Sequence, residues 1–166
     1  MKKLILVTGT LIFMLTSCGP TKYDAVKYND SIIDLTDKLT EMQDLFVNQL
    51  DGHNVDSLKI THELFVQEAE LSSENLAKVK IFEDKNEFGK AASDLIATVN
   101  SVANNESKKM VELLSKDGEQ FTDQDQEKLN NLASMMDEKY EKAYKHLQKE
   151  QIAFSKKWNF ELNLNR

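Results

Sequence analysis

The sequence of 166 residues contains few side chains suited to nucleophilic or metal chemistry: one cysteine, Cys18, and three histidines, His53, His62 and His146. A ferritin-like di-metal centre needs Glu-x-x-His on two helices, because that spacing points both side chains into a bundle. The residues three positions before the histidines are Leu50, Lys59 and Ala143. The motif is therefore absent, and we predict a protein without a metal or a cofactor.

The sequence also lacks the short motifs of common catalytic sites. It has neither a Gly-x-Ser-x-Gly nucleophile turn nor a glycine-rich loop that would hold phosphates. Its paired carboxylates, Glu83-Asp84 and Asp123 with Asp125, fall in predicted turns and first helical turns, where they complement the helix dipole. No catalytic residue emerges, and we expect a protein that is not an enzyme.

The residues before Cys18 have the organisation of a signal peptide. Met1-Lys2-Lys3 is positively charged, and a mostly apolar stretch follows from Leu4 to Leu15. About a dozen apolar residues suit a signal peptide and are fewer than the roughly 17–25 that cross a bilayer. The stretch ends in Leu15-Thr16-Ser17-Cys18.

Leu-Thr-Ser-Cys resembles the lipobox of bacterial lipoproteins, in which a Leu, a small residue and a Gly, Ala or Ser precede the Cys. The resemblance implies that a lipoprotein signal peptidase recognises Leu15, Thr16 and Ser17. It also implies that the Cys18 thiol receives a diacylglyceryl group and becomes the acylated N-terminus. Residues 1–17 would then be the signal peptide, residues 18–22 the lipidated cysteine and tether, and residues 23–166 the folded domain.

The same resemblance places the protein in the bacterial cell envelope, with lipid on Cys18 as its contact with the membrane. In lipoproteins the residue after the cysteine can act as a sorting signal. That residue is Gly19 rather than an acid, so we expect the outer membrane, with the domain facing the periplasm; exposure at the cell surface stays open.

Charge and cysteine content narrow the remaining function classes. The formal net charge of −7 becomes −9 once residues 1–17 are removed, because that segment contains two lysines and no acid. An acidic protein is repelled by phosphate backbones, so we predict no nucleic-acid partner. A single cysteine cannot form an intrachain disulfide, and the core alone must hold the domain together.

The elements that carry these residues are predicted to be helices. Pro20 is the single proline, and after Cys18 glycine occurs only at positions 19, 52, 89 and 118, which favours long helices. Apolar residues at intervals of three and four predict helices over about 22–50, 55–78, 86–116 and 123–158. Short connections make neighbours antiparallel, so the predicted fold is all-α, an up-down-up-down four-helix bundle.

The apolar pattern also predicts which residues form the core. In the first helix it comprises Ala25, Tyr28, Ile32, Leu35, Leu39, Met42 and Phe46; in the second, Leu58, His62, Phe65, Ala69, Ser72 and Leu76. In the third it comprises Phe88, Ala92, Leu95, Val99, Val102, Met110 and Leu113; in the fourth, Leu129, Leu132, Met136, Tyr140, Ala143, Leu147 and Phe154. The gap between Val102 and Met110 predicts a kink or short break near Asn104.

Local signals predict how the helices begin and how the connections lie. Thr21 with Asp24, and Thr122 with Asp125, have the spacing of capping boxes. The connector 79–86 is expected to hold Ile81 and Phe82 against the end of the bundle. The alternation of apolar and polar residues over 160–164 predicts an extended tail.

Four further side chains are candidates for a partner or ligand surface: His62, Tyr140, Tyr144 and Trp158. An exposed aromatic group late in the fourth helix would suit a ligand or a partner helix. The alternative places Tyr140 and Trp158 in the core, Tyr144 at its boundary and His62 in a hydrogen bond between helices. Both interpretations stay open at the level of sequence.

The segment YDAVKYNDSIID, in which Tyr28, Asn29 and Asp30 enter the first helix, follows the lipobox. With it the chain resembles small uncharacterised four-helix lipoproteins of Gram-negative bacteria. We therefore expect a lipid-anchored binding or scaffold domain, whose partner is an envelope protein or a small apolar ligand. The alternatives are an envelope-associated accessory enzyme and a periplasmic sensor of a small ligand.

Overall fold

The computed structural model describes residues 19–52, 54–80, 82–83 and 86–162, and these residues form an all-α, four-helix bundle. The helices are α1 (Lys22–Leu50), α2 (Val55–Lys78), α3 (Glu87–Val102), α4 (Lys108–Leu114) and α5 (Asp123–Trp158). A π-helical turn, Ala103–Ser107, joins α3 to α4 without a break. The two helices and the turn are therefore one rod of the bundle, and the predicted fold class is confirmed. The four residues of the lipobox lie outside the described residues.

The rods are antiparallel, which gives the bundle two distinct ends. Helix α1 packs most closely on α2, and α3 on α5. We call the end that contains the starts of α1 and α3 and the ends of α2 and α5 the basal end. The opposite end, with the α1–α2 and α4–α5 connections, is the distal end. The chain segment that leads from Cys18 enters at the basal end.

The core follows the heptad pattern of the sequence. In α1 the fully buried apolar residues recur every seven positions, at Ala25, Ile32, Leu39 and Phe46. In α2 the aromatic ring of Phe65 stacks on Phe46, with 5.8 Å between the ring centres. Side chains at these intervals lie on one face of a helix, and their burial without disulfides stabilises the bundle.

Both predicted capping boxes are formed. The Thr21 hydroxyl accepts a hydrogen bond from the Asp24 N–H, and the Asp24 carboxylate accepts one from the Thr21 N–H. Thr122 and Asp125 make the same reciprocal pair at the start of α5. Each box satisfies helix-end donors that would otherwise have no partner, so α1 begins just three residues after Gly19.

The third rod ends earlier than predicted, at Leu114 rather than near residue 116. The Ser115 hydroxyl donates to the Val111 carbonyl oxygen at 2.6 Å, and the Lys116 N–H donates to the Leu113 oxygen. These bonds use the last carbonyl groups of α4 and close the helix before Gly118 is reached.

Aromatic side chains fill the basal end. The ring centre of Phe82 lies 5.3 Å from that of Tyr28, 5.4 Å from Phe154 and 5.0 Å from Trp158. Phe160, after the left-handed Asn159 that ends α5, packs on Phe154 at 6.0 Å. The expected position of Phe82 is confirmed; Ile81 and the end of the predicted tail, from residue 163, lie outside the described residues.

Gly89, in the first turn of α3, is required by the same cluster. A Cβ atom added there would lie 2.2 Å from the Tyr28 hydroxyl oxygen, which is far inside van der Waals contact. The Tyr28 ring is held between Phe82, Phe88 and Phe154. It cannot move aside without disturbing those rings.

Gly89→Ala is expected to lower the free energy of unfolding by about 1–3 kcal/mol, because overpacking displaces Tyr28. Gly118→Ala is the matched control, since nothing lies within 4 Å of an added Cβ there. In a Tyr28→Phe background the loss at Gly89 should shrink, because the clashing hydroxyl is gone. Urea unfolding followed by far-ultraviolet circular dichroism measures the wild type, the three single variants and the double variant. Equal stability of the two alanine variants would contradict the close contact.

The distal end is closed by an ion pair across the α4–α5 connection. Lys116 Nζ lies 2.8 Å from Asp125 Oδ1, and the Asp125 side chain is almost fully buried. The hydrogen bond from Lys116 and those from Thr122 hold the pKa of Asp125 well below its usual range. The carboxylate therefore stays charged in mild acid and serves both the capping box and the closure of the connection.

Candidate functional site

A π-helical turn, with hydrogen bonds from residue i to i+5, lies in the middle of the third rod at Ala103–Ser107. Buried positions continue through it at the spacing of a helix face, with Val102, Ala103, Glu106, Ser107 and Met110 all buried. The expected kink or break near Asn104 is therefore a π-helical turn in an unbroken rod, and the buried side continues through Met110.

Two asparagines stabilise this turn locally. Asn104 Nδ2 donates to the Asn100 carbonyl oxygen at 3.0 Å, and Asn105 Nδ2 donates to the Ser101 carbonyl oxygen at 2.7 Å. Side-chain amides of this kind offer the backbone an alternative to regular helical bonds. The sequence Asn-Asn thus contributes to the change from α to π geometry.

His62 of α2 makes the contact that links the turn to the rest of the bundle. Its Nε2 lies 2.9 Å from the Ala103 carbonyl oxygen. Because a carbonyl oxygen can only accept a hydrogen bond, Nε2 is the protonated nitrogen and donates the hydrogen bond. The ring also packs on Phe46, with 5.8 Å between centres. His62 is half-buried, and it acts here as a hydrogen-bonded residue between two helices.

The turn also carries a buried acid. The Glu106 side chain is directed inward, with the residue only 6% exposed, and its Oε1 accepts a hydrogen bond from Lys139 Nζ of α5 at 2.8 Å. Its Oε2 is buried without a hydrogen-bond partner. The neighbouring Ser107 hydroxyl is fully buried and points at the Met136 sulfur, 3.9 Å away. We call His62, Glu106, Ser107, Lys139 and Tyr140 the π-helical junction.

Tyr140 belongs to the core of this junction. It is 4% exposed, and its hydroxyl is buried without a hydrogen-bond partner. Burial raises the pKa of the Tyr140 hydroxyl strongly, and the neighbouring Tyr144 and Glu106 add to the effect. The hydroxyl therefore stays protonated at neutral pH.

Tyr144 and Trp158 lie outside the π-helical junction. The Tyr144 hydroxyl is 2.6 Å from Thr40 Oγ1; because Thr40 itself donates to the Thr36 carbonyl, Tyr144 is the donor. Tyr144 borders a groove of ≈ 360 Å³ between α1 and α5. Trp158 lies among the aromatic side chains of the basal end, about 27 Å along α5 from Tyr140.

The four candidate side chains therefore do not form one surface. His62 and Tyr140 belong to the π-helical junction, Tyr144 bridges α1 and α5, and Trp158 closes the basal end. Their burial corresponds to the interpretation in which Tyr140 is core and Tyr144 lies at its boundary. Sequence reasoning missed Glu106 and Lys139. Glu106 lies four residues after Val102 and four before Met110, which is the spacing of one helix face, and that spacing was the signal for its burial.

The junction opens to solvent on the side of Lys139. A groove of ≈ 600 Å³ between α3 and α5 is lined by polar and charged residues that include Asp94, Ser101, Lys139, Lys142 and His146. Among the described residues there is no group of three or more metal-ligating side chains. None of the described helices has the length and apolar character needed to cross a membrane.

Comparison of the chain with protein-family models, with curated proteins and with solved structures finds no match.

Lys139→Met is expected to lower the free energy of unfolding by about 1–3 kcal/mol, because it leaves the buried Glu106 carboxylate unpaired. This loss of stability is smaller than is usual when a buried ion pair is broken, because Lys139 is partly exposed and water reaches its ammonium group. In the double variant Glu106→Gln with Lys139→Met, most of the loss should be recovered.

Tyr140→Phe is the control, because it removes a buried hydroxyl that has no partner; we expect a change within about 0.5 kcal/mol or a small gain. Urea unfolding measures each variant. A Lys139→Met protein as stable as wild type would show that the ion pair contributes nothing to the junction.

Proposed function

We propose that the protein is a lipid-anchored component of the bacterial cell envelope whose helical bundle acts by binding and not by catalysis. The observation that carries the proposal is the position of the lipobox-like sequence. Leu15-Thr16-Ser17-Cys18 is followed by Gly19 and Pro20, and then by the Thr21 cap of α1. A lipid on Cys18 would hold a folded body directly at a membrane surface.

The physical chemistry of acylation supports a lasting anchor. Each buried CH₂ group contributes about 0.8 kcal/mol, so one acyl chain binds reversibly, whereas two or three bind durably. Gly19 after the cysteine supports the outer membrane as the destination. The acidic body, with a net charge of −9 after removal of residues 1–17, supports a solvated domain facing the periplasm.

The bonding of the polar residues supports a binding role. The His62 N–H is used by the Ala103 carbonyl, Glu106 by Lys139, and the Tyr144 hydroxyl by Thr40. A general acid or base must reach its substrate through the proton it transfers. These groups are instead used to join helices, as expected of a scaffold.

Apolar side chains on the outside of the bundle support a protein partner. Ile60, Leu64 and Leu71 of α2 are all about half exposed or more. At the distal end, Leu113, Leu132 and Met135 line a groove of ≈ 460 Å³ between the third rod and α5. Exposed apolar groups within a polar surface are typical of contact sites for other proteins.

The anchor is tested with radiolabelled palmitate in a bacterium that processes lipoproteins. We expect the wild-type chain to take up label and to fractionate with the membrane, and Cys18→Ala to take up none. Ser17→Ala is the matched control, because the lipobox pattern accepts Ala before the cysteine, and it should label like wild type. Absence of label in wild type, or equal label in Cys18→Ala, would overturn the assignment.

The binding role is tested by chemical crosslinking of intact cells that carry the acylated chain. We expect a small, reproducible set of envelope neighbours that is lost when Ile60, Leu64 and Leu71 are changed to Gln. Changing the exposed polar residues Glu63, Gln67 and Glu70 of the same helix to Ala should leave the set intact. No reproducible neighbour for the wild-type chain would contradict a scaffold.

A further inference from the structure

The two ends of the bundle differ in charge. At the basal end, residues 19–28, 75–80, 82–83, 86–91 and 155–162 contain seven exposed lysines and four acids. The lysines are Lys22, Lys27, Lys78, Lys80, Lys90, Lys156 and Lys157. This end is therefore locally positive although the protein as a whole is acidic.

Two of the four basal acids are already used by neighbours. Asp24 accepts hydrogen bonds from the N–H and hydroxyl groups of Thr21. Glu83 accepts bonds from Lys157 at 2.7 Å. The Glu83–Lys157 pair removes one charge of each sign, so six lysines and three acids remain and the excess of three positive charges is unchanged.

The distal end has the opposite charge. Residues 44–52, 54–60 and 109–128 contain nine acids and four lysines. The acids are Asp44, Asp51, Asp56, Glu112, Asp117, Glu119, Asp123, Asp125 and Glu127. The bundle is therefore a long electric dipole with its positive end at the start of α1.

We infer that the basal end docks on an anionic phospholipid surface, so that the bundle stands with its acidic distal end directed away from the membrane. The inference rests on the proposed lipid anchor at Cys18. Phospholipid phosphates attract the basal lysines, and the same phosphates repel the distal acids. Both forces favour one orientation of the rods.

The short tether places the basal lysines within reach of lipid headgroups. Lys22 is four positions after Cys18, and a fully extended chain spans at most about 14 Å over that distance. The headgroup layer itself extends about 5–7 Å beyond the hydrocarbon core. Lys22 therefore lies within about one Debye length of the headgroups at physiological salt.

The structure places two further lysines beside the tether. Gly19, Pro20, Lys27 and Lys80 line one groove of ≈ 530 Å³ at the basal end. Lys27 Nζ also lies 4.5 Å from the ring centre of Tyr23, which is 65% exposed. An exposed tyrosine beside lysines suits the interface between water and lipid, where one end of the ring is apolar and the other is hydrated.

The chain contains its own probe for this orientation, because Trp158 is the single tryptophan and lies at the basal end. The experiment uses the acylated protein in vesicles that contain dansyl-labelled lipid, and it measures energy transfer from Trp158 to dansyl. We expect more transfer in vesicles with phosphatidylglycerol than in pure phosphatidylcholine. The excess should disappear at high salt, since screening shortens the range of the attraction.

A basal variant removes the charge and a matched variant controls for net charge. In the basal variant Lys22, Lys27, Lys80 and Lys90 become Gln; in the control, the exposed Lys38, Lys59, Lys108 and Lys109 become Gln. We expect the excess transfer to be lost in the basal variant and retained in the control. Flotation with vesicles and circular dichroism confirm that each protein is anchored and folded.

The outcomes separate this inference from the proposed function. An anchored protein with equal transfer in both kinds of vesicle, or with equal loss in both variants, would overturn the docking and leave the anchor intact. A protein that neither carries palmitate nor floats with vesicles would overturn both. The charge distribution predicts that the excess energy transfer is lost in the basal variant and retained in the control variant.

Discussion

Continuous burial of one side of the third rod is the constraint on which the rest of the bundle depends. Helices α3 and α4 both pack on α2 and α5. Between them, Ala103, Glu106 and Ser107 of the π-helical turn are buried as well. Met110 and Val111 of α4 are buried with the residues of α3, so the rod keeps one side against the core along its length.

The same turn explains the polar residues in the middle of the core. A π-helical turn changes which backbone carbonyl groups have a hydrogen-bond partner within the helix. Side chains can then donate hydrogen bonds to these carbonyl groups. Asn104 and Asn105 act within the rod, whereas His62 bonds to Ala103 from α2. Glu106 of the turn is buried, and Lys139 of α5 pairs with its carboxylate. The junction therefore joins three rods at one level, which helps to specify a unique packing.

The antiparallel arrangement gives the molecule its polarity. Lysines that are scattered over the beginning, middle and end of the sequence meet at one end of the bundle, beside aromatic side chains from α1, the α2–α3 connection, α3 and α5. An excess of acids, nine against four lysines, lies at the other end. A protein that is held by its N-terminus at a membrane would present the first end to lipid and the second to the surrounding compartment. The lipobox-like motif and the charge distribution are independent observations, and both are compatible with that orientation.

The sequence by itself determined the class of fold and the starts of α1 and α5, because these depend on local spacing. Apolar residues at intervals of three and four predict one buried face, and Thr21 with Asp24 or Thr122 with Asp125 is a capping box whatever surrounds it. The lipobox-like motif is equally local. The tertiary structure alone decided that His62 bonds to Ala103, that Glu106 pairs with Lys139, and that seven lysines share one end. The two bonds join residues that are at least 33 positions apart, and they depend on which rods are neighbours. No local pattern contains that information.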